Sequence, residues 1–299
     1  MKQYAWVEDN FAPSAKALRA EFDRRFGDPK QTRSDRFIWD FWHVPDQYTL
    51  VRTPADHFFP KKIFAPFLSR LGEWARKTLG CTAITPPWLS YYVEGCEQKF
   101  HSDVPHGPWA FVYSLSPHKR LFRGGETLLL RPDVLDYWRN FSDSTDRELN
   151  SFVERIEPRF NRLVVFDPRI PHGVTRVEGT MDPRAARLVL HGWFTDPKPC
   201  IDGSLSARQV APALDEAVGR LVDGIAQLGL WHGILSLRIY VSRSGTVKKV
   251  DLLADTMVPV KGDPADATRI RTLAKRAVQG LRFPRVGGES AITLPLLFR

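Results

Sequence analysis

His101, Asp103 and His172 are the residues whose types and spacing point to chemistry. His101 and Asp103 lie two positions apart, so on an extended strand both side chains leave the same face and can meet at one centre. A third donor, His172, sits in Pro171-His172-Gly173, just after the apolar run Arg162-Leu-Val-Val-Phe166 that reads as a buried strand. Two imidazoles and one carboxylate on three adjacent positions form a facial donor set that suits a first-row metal and leaves the opposite face open. Alone, the His-x-Asp pattern is weak: it arises by chance in many chains, and an isolated histidine is more often a hydrogen-bonded surface or core residue than a ligand. Zn(II) with a bound water is a rival occupant of the same donors, although no general base stands out beside them.

The surroundings add specificity. Upstream, Tyr92, Gly95 and His101 give Y-x-x-G-x5-H-x-D; Phe122-Arg-Gly-Gly-Glu-Thr127 lies between the ligand pairs; Arg187-Leu-Val-Leu-His-Gly-Trp193-Phe194 follows the second histidine. With these motifs in this order, residues 85–195 resemble the prolyl-hydroxylase-like branch of the 2-oxoglutarate/Fe(II)-dependent oxygenases. The resemblance implies a metal site of His101, Asp103 and His172 holding Fe(II), with 2-oxoglutarate as cosubstrate and O2 as oxidant. It implies a cation for the far carboxylate of 2-oxoglutarate. Arg187 is the candidate, because an unpaired charge in so apolar a run would be costly, and Arg184 is the fallback, although Asp182-Pro183 beside it suggests a turn. Tyr92 matches a tyrosine that hydrogen-bonds the cosubstrate, its alternative being a core aromatic. Ser114 is a candidate contact for the far carboxylate, Thr127 is placed facing the pocket, and Gly124-Gly125 reads as a tight turn. His106 and His118 read as exposed loop residues, His106 within reach of substrate, and His191 as a group supporting the site from the Arg187 strand.

The implied enzyme is a dioxygenase that hydroxylates a C–H bond of a peptidyl or amino-acid side chain while 2-oxoglutarate is decarboxylated to succinate. Two alternatives stay open: a biosynthetic oxygenase acting on a small molecule, and a catalytically silent β-sandwich adaptor.

A site of this kind needs facing strands. From residue 89 the chain turns into short apolar runs broken by Gly, Pro and charge, at 89–93, 109–115, 126–130, 163–166, 173–177 and 187–194. Runs at this spacing predict a sandwich or barrel, and with the resemblance a mainly β fold, a double-stranded β-helix (jelly roll). Supporting helices are predicted over residues 13–27, with Leu18, Phe22 and Phe26 on one stripe, and over 61–79, ending at Gly80. Residues 37–43 and 48–52 read as strands whose aromatics are assigned to core packing rather than to a substrate mouth, and 142–150 as a polar surface loop.

Asp196-Pro-Lys-Pro199 and Cys200-Ile-Asp-Gly-Ser204 suggest a boundary, dividing the chain into an oxygenase domain over 1–200 and a small α+β domain over 206–299. The latter is read as a helix at 206–228, a hairpin of strands 234–242 and 247–254, a helix at 265–281 and a last strand at 291–298. The runs Leu237-Arg-Ile-Tyr-Val-x3-Gly245-x-Val247, Leu281-Arg-Phe-Pro284 and Ile292-Thr-Leu-Pro-Leu296 resemble the C-terminal domain of TonB and its relatives. That resemblance implies a module for a protein partner or for dimerisation; a membrane anchor and a Pro-rich spacer are lacking.

The 299 residues, 43% of them apolar and 12% aromatic, are enough for real cores and argue against disorder. With no apolar run near 18 residues and no leader pattern, the expectation is a cytoplasmic protein without a membrane span. Cys81, Cys96 and Cys200 are odd in number and widely spaced, which fits reduced thiols. Of the net charge of +9, residues 205–299 carry +6, from 14 Lys and Arg against 8 Asp and Glu. Aromatic interleaving and nucleic-acid motifs are missing, so the surplus is assigned to ordinary solvated side chains, and the partners expected are peptide, protein or small-molecule substrates rather than nucleic acid.

Overall fold

In the computed structural model the described residues are 4–27, 39–103, 106–117, 121–132 and 152–298. His118 and the loop expected at 142–150 lie outside them. The chain divides into two compact units, one from Ala5–Arg70 with Ile84–Phe194, the other mainly from Leu71–Ala83 with Thr195–Arg299.

The first unit opens with β1 (Ala5–Glu8) and α1 (Ala15–Phe26), followed by β2 (Asp40–Val44), β3 (Tyr48–Pro54), α2 (Ala55–Phe58) and the start of α3 (Lys61–Thr78). After β4 (Cys81–Ile84) come eight strands: β5 (Trp88–Tyr92), β6 (Glu97–His101), β7 (Trp109–Ser114), β8 (Thr127–Leu130), β9 (Val153–Ile156), β10 (Arg162–Phe166), β11 (His172–Val174) and β12 (Arg187–Pro197). They pair antiparallel in two runs, β10-β7-β12-β5 and β6-β11-β8-β9, joined through β3, which bonds to both β5 and β6. Apart from β8 and β9, neighbours in each run are not consecutive along the chain, the mark of a double-wound jelly roll rather than a meander. The fold is thus mainly β, with supporting helices.

Local sequence explains the elements. β10 is Arg-Leu-Val-Val-Phe and buried throughout, as a strand covered on both faces must be. On α1 the buried positions are Ala15, Leu18 and Phe22, and Phe22 stacks on Phe26 at 4.6 Å. Trp39, just ahead of β2, joins this aromatic packing through Phe26, Phe58 and Tyr91, with ring centroids 5.0–5.5 Å away. Strands β1, β4, β6 and β9 were not legible as strands, since each has only four or five residues, and β1, β6 and β9 mix charge with apolar positions.

The second unit contains the last part of α3 with β13 (Cys200–Gly203), α4 (Ala207–Ala226), β14 (Leu230–Val241), β15 (Val247–Asp255), β16 (Val258–Lys261), α5 (Asp266–Gln279) and β17 (Ser290–Phe298). Its sheet runs β13-β17-β14-β15, with β16 on the first residues of β14. The Cys200–Gly203 segment, read from sequence as part of a boundary, is a strand paired along β17. Ser206 and Gln209 cap α4, the Gln209 side chain accepting from the Ser206 backbone N–H at 2.9 Å. Val210, Leu214, Ala217, Leu221 and Ile225 form the buried stripe of α4 expected from their spacing. The final carbonyls of α3, which have no intrahelical donor, accept from the sheet: Ser236 Oγ donates to Leu79 O at 2.9 Å and Thr293 Oγ1 to Lys77 O at 3.0 Å. Among the described residues no helix is long and apolar enough to cross a membrane.

In the first unit α3 is held by Phe67, which is fully buried and packs on Tyr113 of β7 with centroids 4.6 Å apart. Phe67→Ala removes that ring and leaves a cavity, so chemical denaturation should show a loss of about 3–5 kcal/mol; a change within error would mean that the helix does not brace the barrel.

Candidate active site

β6 and β11 are antiparallel neighbours with His101 directly opposite His172, and their rings lie 4.4 Å apart. Asp103 follows two residues past the end of β6, where its backbone N–H donates to Pro168 O at 2.9 Å. Its carboxylate lies between the imidazoles, with Oδ1 3.6 Å from His101 Nε2 and Oδ2 3.3 Å from His172 Nε2. One ligand atom from each residue falls within 4.8 Å of the others. Gly173 allows this approach: a Cβ there would sit 2.6 Å from Gln98 O of the facing strand.

The ring orientation is fixed from behind. His101 Nδ1 donates to Lys99 O at 2.8 Å and His172 Nδ1 to Ile170 O at 2.9 Å. A carbonyl can only accept, so in the neutral rings Nδ1 carries the proton and Nε2 presents its lone pair to the shared centre. The charge states suit a cation. Burial lowers the His101 pKa, which favours the neutral ring. Burial works to raise the Asp103 pKa, but the net shift is downward, which favours the carboxylate.

These residues open on a cavity of about 440 Å³. One wall is the inner face of the β12-β5-β3-β2 strands, where alternation brings Arg187, Val189, His191 and Trp193 of β12 beside Trp88 and Tyr92 of β5, Leu50 and Arg52 of β3, and Trp42 of β2. Arg187 is only 1% exposed. Its Nε donates to Gly125 O at 2.8 Å, one Nη reaches Thr127 Oγ1 at 3.3 Å, and its carbon lies 4.4 Å from the centre of the Tyr92 ring. The other Nη is buried with no acceptor among the described residues. Burial lowers the Arg187 pKa and raises that of Tyr92. An unmet guanidinium N–H in a cavity that also holds the three ligands fits a carboxylate presented from within.

Other candidates fall elsewhere. Ser114 is not on the cavity wall: its hydroxyl donates to Pro158 O at 3.0 Å and meets Ser116, so the contact expected with a far carboxylate is replaced by a bond closing the end of β7. Arg184, the fallback cation, is in an ion pair with Asp182 at 3.0 Å. Thr127 lines the cavity; His106 is exposed at its edge and stacks on Trp193 at 4.5 Å. Sequence reasoning missed two features. The Gly125 carbonyl holds Arg187 in place, which no side-chain pattern announces. Trp42 and Tyr48, assigned to the core, line the cavity; period-two alternation from Leu50 was the available signal.

Residues 87–195 match the model of the 2OG-Fe(II) oxygenase superfamily. Fe(II), 2-oxoglutarate and O2 are the cofactors of that superfamily, and the His-Asp-His donors suit the ion. No curated protein matches the chain. Among solved structures, the chain is similar to a prolyl-4-hydroxylase from Pseudomonas putida, at 17% identity over 64% of this chain and 92% of that one, with a TM-score of 0.45. It is similar to a Trichoplax adhaerens prolyl hydroxylase in complex with a hypoxia-inducible-factor peptide, at 16% identity over 65% and 84%, TM-score 0.44. It is also similar to HygX of Streptomyces hygroscopicus, with nickel and 2-oxoglutarate bound, at 14% identity over 63% and 81%, TM-score 0.41.

Two predictions follow from the wall residues. His191 is partly buried on the cavity wall, its Nε2 2.8 Å from Ser90 Oγ, and desolvation with Arg187 and Arg52 nearby takes its pKa down to about 3. Between that value and its unfolded value near 6.5 only the unfolded chain binds the proton, so stability falls as pH falls through this range, by up to about 1.4 kcal/mol per unit. His191→Gln should flatten that part of the urea-denaturation pH profile; an unchanged slope would refute a neutral ring in the folded chain. At Gly125, φ is +76° and a Cβ would stand 3.0 Å from Arg187 Cδ. Gly125→Ala should therefore displace Arg187, weakening calorimetric binding of 2-oxoglutarate to the Mn(II)-loaded chain by about tenfold or more.

Proposed function

We propose that the chain is an Fe(II)/2-oxoglutarate-dependent dioxygenase that hydroxylates a C–H bond of a peptidyl or amino-acid side chain. The balance is one O2, one 2-oxoglutarate and one substrate C–H giving succinate, CO2 and C–OH. The observation that carries this reading is the placing of three convergent ligand atoms and one buried, unmet guanidinium donor in a single cavity.

His101, Asp103 and His172 would hold the ion through Nε2, a carboxylate oxygen and Nε2. Bound there, a ferrous ion would activate O2, the oxidant, with electrons from 2-oxoglutarate, chemistry that no protein side chain supplies. Arg187 takes the far carboxylate of 2-oxoglutarate on its free N–H, while Gly125 O and Thr127 keep the fork from turning away. Tyr92 packs against the same guanidinium and fixes it from one face. Leu50, Phe111, Val112, Phe166, Val174 and Val189 keep the surrounding wall apolar, which limits water near the reacting centre.

For the second unit we propose a protein-contact or dimerisation module. β15 ends the sheet order, so its outer edge offers backbone groups for strand addition.

The test is succinate release from 2-oxoglutarate by the purified chain with Fe(II) and O2. Turnover should fall to background in His101→Ala and in His172→Ala, and Arg187→Gln should raise KM for 2-oxoglutarate about tenfold or more. A wild-type chain that binds neither iron nor 2-oxoglutarate would instead be the non-catalytic adaptor.

A further inference from the structure

The cavity holds a second guanidinium that the proposed reaction does not use. Arg52 lies on β3 opposite Ser90 of β5, on the same inner face as Arg187 and two residues further along the β5 ladder than Tyr92. It is stacked between two indoles, its carbon 3.4 Å from the centre of the Trp42 ring and 4.1 Å from that of Trp88. With both faces covered, its N–H donors are available only around the rim of the plane. Its Nε is buried and has no acceptor among the described residues. Asp40, its cross-strand neighbour on β2, acts on it only through space, and burial lowers its pKa. Arg52 is thus an oriented donor with an unmet N–H, held by rings that themselves line the cavity.

Charge balance gives the ligand its sign. The wall residues include two guanidiniums, Arg52 and Arg187, against one carboxylate, Asp103. A ferrous ion adds two positive charges and 2-oxoglutarate removes two, so with both bound one positive charge is left over, and Arg52 is where it sits. Arg52 is partly buried and Asp40 gives it no hydrogen bond, so an anion that bonds its unmet N–H directly would be favoured. Arg187, with its Gly125 and Thr127 bonds, already has the geometry for the cosubstrate.

We propose that Arg52 binds a carboxylate on the prime substrate, so that the chain hydroxylates acid-bearing substrates, an N-acylated amino acid or the carboxy-terminal residue of a peptide, with Trp42 and Trp88 flanking the carboxylate. This rests on the oxygenase reading for what happens to the substrate, but not for the binding itself. Arg52 is a specificity-determining residue here, and it is distinct from the cation that holds 2-oxoglutarate.

The test titrates a panel of N-acetyl-L-amino acids and their matching primary amides into the intact chain, followed by indole fluorescence, with and without Mn(II) and 2-oxoglutarate. At least one acid should bind about tenfold or more tightly than its amide, the difference expected when one charge-assisted bond is lost. Arg52→Gln should abolish that preference and leave 2-oxoglutarate affinity unchanged, while Arg187→Gln should do the reverse; Arg52→Met, which keeps an apolar stem between the indoles, replaces the Gln variant should that not fold. Equal binding of every acid and amide, an acid preference that survives loss of Arg52, or a loss of 2-oxoglutarate affinity in the Arg52 variants would each overturn the proposal. A wild-type chain that shows the acid preference but binds no 2-oxoglutarate would leave the Arg52 site standing and bring down the oxygenase reading alone.

Discussion

Arg187 carries a positive charge into a wall of valine, leucine and aromatic side chains, and the site depends on how that charge is accommodated. Taking an ion out of water costs several kcal/mol even after the protein relaxes around it. Its protein partners are a backbone carbonyl, a hydroxyl and the face of a phenol ring, all of them neutral. Neutral acceptors orient a guanidinium without cancelling its charge. The remaining Nη has no acceptor among the described residues, and Arg187 is among the residues of a cavity in which an anion would gain both a charge-assisted hydrogen bond and a charge partner in a weakly screened place. The residue is costly to the fold and informative about ligand for the same reason.

The jelly roll is what allows so few positions to build the site. Along β12, period-two alternation sends Arg187, Val189, His191 and Trp193 inward, while Leu188 and Leu190 pack on the opposite face. β5 and β3 add their inward residues in register beside them. The metal donors come from the other run of strands, where one pairing, His101 opposite His172, brings together two residues that are 71 positions apart. A register slip of one residue on β11 would turn His172 to the outer face. The backbone carbonyls of Lys99 and Ile170 then select the ring nitrogen that faces the centre, so register and tautomer are set by the same two strands.

The sequence made the β class and the supporting helices legible because they depend on local spacing, and the donor trio legible through the order of the motifs around it. Leu18 and Phe22 on α1, the stripe on α4 and the apolar β10 are periodic and lie where their periods put them. What was not legible depended on neighbours distant in sequence. Ser114 faces the same way along β7 as Val112, which lines the cavity, yet the carbonyl of Pro158 takes its hydroxyl. Trp39, Trp42 and Tyr48 look alike in composition, but Trp39 falls into the packing around Phe58 and Tyr91 while the other two line the cavity. Short strands such as β1 and β9 gain their identity from the strands they pair with rather than from their own four residues.

The two cavity arginines are immobilised by different means, and the difference bears on what each can recognise. Arg187 is held in its plane by hydrogen bonds to Gly125 and Thr127, so part of its fork is already committed and only a narrowly placed acceptor can complete it. Arg52 is held across its plane by two indoles, which restrict its tilt but use none of its donors. The first arrangement suits a ligand of fixed length tied down at its other end, as a dicarboxylate chelated to a metal would be. The second tolerates some variation in where an oxyanion arrives along the rim, and it adds flat apolar surface on either side. A cosubstrate that never changes and a substrate that must enter and leave place just these two demands on a cavity wall.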